Sequence, residues 1–182
     1  MNAPLPLDPE AAVLALGLGF AASEGGPLIA MSESALADWQ GTDTDDYDRA
    51  CDASFGLIDV GASRALALDN PDSGAFVARP YGALIVRWVG GDDAAMLLTA
   101  AFAIPDESYE DVEGLLPHDG GRLVMFDAAE RGPEHLAAAS VTIELPAGRY
   151  GVRVCPLWEG PVAGVDGNSH DVIVQTIQLR KR

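Results

Sequence analysis

The stretch Gly82–Val89, GALIVRWV, is the clearest strand signal in this chain. Its β-branched and aromatic residues favour an extended backbone, and its side chains are nearly all apolar. A strand without a polar face is buried on both sides, so we expect it at the centre of a sheet. Turn signals rich in Gly, Pro and Asn separate it from further apolar runs, which predict more strands before and after it.

Strands outnumber helices along the sequence. The other predicted strands are Val13–Phe20, Leu28–Met31, Gly56–Val60, Arg64–Leu68, Arg122–Phe126, Val141–Leu145, Arg149–Cys155 and Val172–Leu179. Pro146–Gly148 predicts a hairpin turn between two of them. One short helix is expected to end at Trp39, and a second, capped by Asp92 or Asp93, near Phe102. Because strands and helices do not alternate in a βαβ rhythm, the sequence predicts an α+β fold with mostly antiparallel strands. We expect about eight or nine strands and about two or three short helices, and two packed sheets are one arrangement that fits.

The composition combines strong acidity with a globular apolar content. The chain has 182 residues, with 28 Asp and Glu against 11 Lys and Arg, a net charge of −17, and 48% hydrophobic residues. Disordered acidic chains lack apolar residues, so this chain is expected to fold and to carry an acidic surface. Such a surface repels nucleic acid and anionic membranes, and the expected partner is therefore a basic protein.

The predicted organisation is one α+β domain over residues 11–179. Residues 1–10 contain three prolines and are expected to form an irregular arm, while residues 180–182 form a basic tail that is either solvated or a counter-charge for the acids. The apolar run Ala11–Ala22 lacks a preceding basic residue, which favours a strand over an export signal. We therefore expect a cytoplasmic protein, with Cys51 and Cys155 as reduced thiols.

Motifs for cofactor or metal binding are incomplete. Gly17-x-Gly19-x-x-Ala22 fits the loose dinucleotide pattern, but Gly25-Gly26-Pro27 follows where a helix would be required. A calcium loop starting at Asp43 would place Asp48 where Gly is needed and Ser54 where Glu is needed. The sequence therefore predicts no cofactor and no enzymatic activity. A hydrolase that uses Cys51 or an acidic metal site is the remaining catalytic alternative.

Two acidic clusters, each with a tyrosine, are the candidate partner-binding sites. The first consists of Asp43, Asp45, Asp46, Tyr47 and Asp48, and the second of Asp106, Glu107, Tyr109, Glu110 and Asp111. Carboxylates would attract Arg and Lys on a partner, and the tyrosines would supply contact area. For the second cluster the alternative is ordinary solvated surface. For the first it is internal structure, with Asp46 or Asp48 paired to Arg49 and Cys51 packed in the core.

Several strings, in this order, resemble the bacterial immunity protein 21 family of polymorphic-toxin systems. They are Gly25–Ile29, Trp39–Gly41, Asp46–Cys51, Gly56–Gly61, Ala65–Asp69, Leu84–Trp88 and Ile143–Tyr150. The likeness spans about residues 13–155, and the Asp46–Cys51 string, DYDRAC, is its most specific part. The resemblance implies a non-enzymatic protein that binds and neutralises a cognate toxin domain. The alternative that stays open is a non-catalytic β-rich interaction or scaffold module.

Overall fold

A computed structural model describes residues 19–69, 73–91, 93–132, 140–164 and 168–182. The described residues form eleven strands: β1 (Ala21–Ala22), β2 (Leu28–Ser32), β3 (Phe55–Val60), β4 (Ser63–Leu68), β5 (Ser73–Arg79), β6 (Gly82–Gly90), β7 (Glu110–His118), β8 (Gly121–Asp127), β9 (Val141–Leu145), β10 (Gly148–Ala163) and β11 (Ser169–Lys181). They also form two α-helices, α1 (Asp46–Ala53) and α2 (Ala94–Ala103), and three 3-10 segments at Glu33–Asp38, Gly41–Asp43 and Asp106–Ser108.

The strands make two antiparallel sheets. One has six strands in the order β1-β5-β6-β11-β10-β7, and the other has five in the order β3-β4-β2-β8-β9. The predicted α+β class, with mostly antiparallel strands in two packed sheets, is confirmed. The stretch Gly82–Val89 lies in β6, where β5 and β11 pair with its two edges, so its central position is confirmed as well.

The two sheets pack face to face, and helices cover their outer faces. The core between the sheets joins Leu28 and Leu66 from the five-stranded sheet to Ile85 and Ile177 from the six-stranded sheet. Helix α2 packs on the outer face of the six-stranded sheet, and α1 with the segment Glu33–Asp38 packs on the outer face of the other. Because both faces of the central strands are covered, these strands read as continuous apolar runs.

The predicted N-terminal cap of α2 is confirmed. Asp93 is the N-cap, and its carboxylate accepts a hydrogen bond of 2.8 Å from the Met96 amide. The helix runs to Ala103, one residue beyond the predicted end. Ala-, Leu- and Met-rich residues bury it against β6, β10 and β11, which explains why it is apolar nearly all round.

The predicted hairpin around Pro146–Gly148 is wrong. Strand β9 pairs with β8 in the five-stranded sheet, whereas β10 pairs with β7 and β11 in the six-stranded sheet. The link therefore carries the chain from one sheet to the other, and the Tyr150 hydroxyl donates a 2.7 Å hydrogen bond to the Pro146 carbonyl across it. A local turn signal cannot reveal that β10 pairs with the following strand β11 and with the distant strand β7 instead of with β9.

Three strands were missed from the sequence: β1, β5 and β7. The domain organisation predicted for residues 11–179 stays a prediction, because residues 1–18 lie outside the described part. The predicted arm at 1–10 and most of the predicted strand Val13–Phe20 fall within those residues. At the other end, Arg180 and Lys181 extend β11. No helix among the described residues combines the length and apolar character needed to cross a bilayer.

Candidate functional site

The acid-rich segment 43–52 folds mainly as helix α1. Asp46 opens the helix: its backbone amide donates to the Thr44 hydroxyl at 3.3 Å, and its carboxylate accepts a 2.8 Å hydrogen bond from the Gln40 amide. Acidic residues in a first turn interact favourably with the positive end of the helix dipole. Ala50 turns inward and packs in the cluster that contains Trp39. The helix is therefore held on the outer face of the five-stranded sheet.

Within α1, Asp46 and Arg49 hold the fold together. Arg49 donates to the Asp46 carboxylate and, through Nη1, to the Asp59 carbonyl at 2.9 Å, which ties the helix to β3. Burial by itself would raise the pKa of Asp46, but the hydrogen bonds from Gln40 and Arg49 outweigh burial and bring the pKa below its ordinary value. Asp46 thus remains ionised and internally paired.

Three other aspartates of this segment point to solvent. Asp45, Asp48 and Asp52 are exposed and follow one another at intervals of three and four residues, so they lie along one side of α1. None of the three forms an ion pair with any described residue. We call these three residues the acidic helix face. Asp43, just before the helix, is exposed and lies 3.5 Å from Arg131.

Tyr47 and Cys51 lie one helical turn apart on α1. Tyr47 is half-buried, and its ring packs against the turn at Gly26, where an added Cβ would lie 2.6 Å from the phenol oxygen. The adjacent Cys51 thiol, followed by burial, raises the pKa of Tyr47, which keeps the phenol protonated. Cys51 is an exposed free thiol, whereas Cys155 is buried, and burial raises the pKa of its thiol.

The second predicted cluster is organised around one arginine. Arg153 lies 3.0 Å from the Asp106 carboxylate and 3.5 Å from that of Asp111, and its side chain is only 16% exposed. It also donates to the Tyr109 carbonyl at 3.1 Å. Arg180 donates to the same Asp106 carboxylate. The hydrogen bond from Arg153 is the main reason why the pKa of Asp106 lies below its ordinary value.

The remaining members of the second cluster face different ways. Tyr109 is buried in the core under α2, and its hydroxyl accepts a 2.8 Å hydrogen bond from Thr176. Glu107 and Glu110 are exposed and form no ion pair with any residue that the structure describes. In each cluster, therefore, only some of the predicted residues are exposed. The two clusters also lie beside different sheets.

One exposed acid of the face was not among the predicted site residues: Asp52. It follows Asp48 by four residues, and this spacing places two side chains on one side of a helix. The four-residue spacing is visible in the sequence, but it places the two side chains on one side only if the segment is a helix. No helix was predicted for this segment.

A buried Ser–His pair lies where the two sheets meet, close to the end of β7. Ser32 Oγ and His118 Nδ1 are 2.6 Å apart, and His118 Nε2 lies 3.2 Å from the carbonyls of Gly121 and Leu145. Two carbonyl acceptors require a proton on Nε2, so in the neutral ring Nδ1 accepts from the serine. Both side chains are buried, and their hydrogen bonds connect β2, β7 and the β8–β9 pair.

The described residues do not bring Cys51 and a histidine together, as the hydrolase alternative would require. Cys51 lies on the exposed side of α1, whereas His118 is enclosed between the sheets. Within the described ranges, no group of three or more His, Cys, Asp and Glu side chains is arranged to hold a metal ion.

Fold and site together define an α+β sandwich protein with a carboxylate-bearing outer helix. The family model of immunity protein 21 matches residues 20–161, which include the five-stranded sheet, both acidic clusters and the six-stranded sheet up to β10, but not β11. The chain belongs to the immunity protein 21 family, and the resemblance seen in its sequence is confirmed. No curated protein and no solved structure matches the chain.

Proposed function

We propose that this protein neutralises a cognate bacterial toxin by binding it directly, with the acidic helix face, Asp43 and Tyr47 set against a basic surface of the toxin. A toxin that acts on nucleic acid needs such a basic surface, so a nuclease domain fits this partner. The protein acts in the cytoplasm by occupying the toxin, without a cofactor and without chemistry of its own.

The observation that carries the proposal is the unbalanced charge of the acidic helix face. Asp45, Asp48 and Asp52 are exposed on one side of a helix and lack cationic partners among the described residues. A local negative field of this kind accelerates encounter with a basic protein and is weakened by salt. Tyr47 and Asp43, beside the face, add contact area and a further carboxylate.

The energetics of α1 support a role beyond folding. Asp48 and Asp52 are a like-charged pair one turn apart, an arrangement that costs about 0.2–0.5 kcal/mol in an exposed helix. Asp52 also lies one residue before the end of the helix, where the dipole disfavours negative charge. Stability therefore does not explain the position of Asp52, whereas attraction of a cationic partner does.

The test measures association with the toxin domain encoded beside this chain. Replacing Asp45, Asp48 and Asp52 together by Asn should slow association at low salt by about tenfold. The matched control replaces Glu113 and Glu159 by Gln and Asp171 by Asn, three exposed acids on strands of the six-stranded sheet. Both triple variants change the net charge equally, so the control reports the effect of overall charge alone.

Stopped-flow mixing over a range of salt concentrations separates the outcomes. The control should retain most of the wild-type rate, and the difference between the variants should disappear at high salt. Equal slowing in both variants would remove the acidic helix face from the proposal. Full protection of toxin-expressing cells by the Asn variant, with an unchanged association rate, would do the same.

A further inference from the structure

A second site of different chemistry lies on the opposite side of the sandwich. A cavity of about 170 Å³ opens beside the C-terminal end of α2, on the outer face of the six-stranded sheet. We call it the arginine pocket, and its polar walls are Arg79, Tyr81, Asp106, Gln178 and Arg180. Phe102, Leu84 and Ile104 form its apolar lining.

Aromatic rings hold both arginines of the pocket in place. The Arg79 guanidinium carbon lies 4.8 Å above the centre of the Phe102 ring, and that of Arg180 lies 4.8 Å above the centre of Tyr81. Stacking fixes the plane of a guanidinium while leaving its N–H edge available for a planar acceptor. The pocket therefore presents preorganised donors.

Arg79 has one unpaired nitrogen among the described residues. Its Nε is buried and has no hydrogen-bond partner among the described residues, and Arg79 forms no ion pair within them, although its side chain is hydrogen-bonded to Tyr81. Asp106, the one carboxylate of the lining, already accepts from Arg153 and Arg180. A buried donor without an acceptor is rare in folded proteins, so the unpaired Nε–H of Arg79 calls for an explanation.

The size and lining of the pocket limit what it can hold. Engineered apolar cavities of about 150 Å³ take a benzene molecule, so the arginine pocket accommodates a group of that size. Its apolar lining favours a ligand with an apolar body over a bare inorganic anion. Burial raises the pKa of Tyr81, which leaves its hydroxyl protonated as a further donor.

The geometry points to a binding site for a small free carboxylate with an apolar body about the size of a benzene ring. Its carboxylate would accept from Arg79 and Tyr81, and its body would lie against Phe102 and Leu84. This inference does not depend on the acidic helix face, because the pocket is beside α2 and that face is on the outer side of the other sheet.

Benzoate tests the site, with benzamide as its uncharged counterpart. In an NMR titration that observes the arginine Nε–H signals, benzoate should shift the Arg79 signal saturably, and benzamide should not. Arg79→Gln should weaken benzoate binding by about tenfold, because it removes a charged donor. Arg149→Gln is the matched control, since Arg149 is exposed and forms no ion pair with any described residue.

The outcomes separate the site from its alternatives. Equal binding of benzoate and benzamide, or no saturable shift with benzoate, would overturn the inference in the wild-type protein without any variant. Equal weakening by Arg79→Gln and Arg149→Gln would show general charge attraction and overturn it as well. If saturating benzoate weakened association with the toxin, the pocket would bind a carboxylate of the toxin. That result would overturn the inference that its ligand is a small free acid.

Discussion

The two acidic clusters of this protein look alike in sequence and differ in structure. Around Asp106 and Asp111, a largely buried arginine, Arg153, holds two carboxylates and the Tyr109 carbonyl. On α1, the exposed arginine Arg49 pairs with Asp46, while the acidic helix face has no cation among the described residues. Runs of acids in a sequence therefore do not show how much negative charge remains at the surface.

The difference assigns different physical roles to the carboxylates that Arg153 holds and to the acidic helix face. Carboxylates that accept hydrogen bonds from a largely buried arginine hold local structure together, and the arginine offsets part of their charge. Exposed carboxylates without partners add little to stability and retain their field. The following experiments test this division, from the largest expected effect on stability to the smallest.

Removing the central arginine should give the largest effect. Arg153→Met removes the donor that the Asp106 and Asp111 carboxylates share with the Tyr109 carbonyl, although Arg180 still reaches Asp106, and should lower the free energy of unfolding by about 2–3 kcal/mol. Urea unfolding measures it. Arg122→Met, which breaks an exposed ion pair with Glu33, should cost much less. Similar losses in both variants would contradict the central role of Arg153.

Neutralising Asp46 should have a smaller, pH-dependent effect. Asp46→Asn should lower the free energy of unfolding by about 1–2 kcal/mol at neutral pH, because it loses the charge that Arg49 and Gln40 stabilise. Since the folded-state pKa of Asp46 is depressed, its contribution is present above the unfolded-state value of about 3.9 and is lost as the pH falls below it.

Urea unfolding between pH 7 and pH 2 provides the measurement. The gap between wild type and Asp46→Asn should close at the acid end of this range. Asp48→Asn on the same helix should stay near wild type throughout, because Asp48 has no ion pair among the described residues. A gap for Asp46→Asn that is independent of pH would show that its charge does not contribute.

The smallest effects should have opposite signs at the two ends of α1. Asp52→Asn should raise the free energy of unfolding by about 0.5 kcal/mol, because it relieves repulsion from Asp48 and an unfavourable dipole interaction. Asp45→Asn, before the first turn, should lower it by a few tenths of a kcal/mol, about the size of one dipole interaction. Thermal unfolding at low salt measures both, and equal signs would contradict the helix-based account.

Much of the fold followed from local patterns, and the failures have a common cause. The strands at Gly82–Val89, Gly56–Val60 and Arg64–Leu68 and the cap at Asp93 were predicted because each depends on neighbours within a few residues. The false hairpin at Pro146–Gly148 and the missed strand β7 depend on partners far away in the chain. In the site, Asp52 was missed because its place on the acidic helix face depends on a helix that the acid-rich composition did not suggest.

Alternation of apolar side chains, turn residues and net charge are properties of the chain itself, and they determined the α+β class, the acidic character and the family likeness. Which carboxylates keep their charge exposed was decided by the tertiary structure, because Arg153 and Arg180 reach Asp106 only when β10 and β11 lie side by side. Ion pairing depends on distance in space, and distance in space follows from the packed sheets.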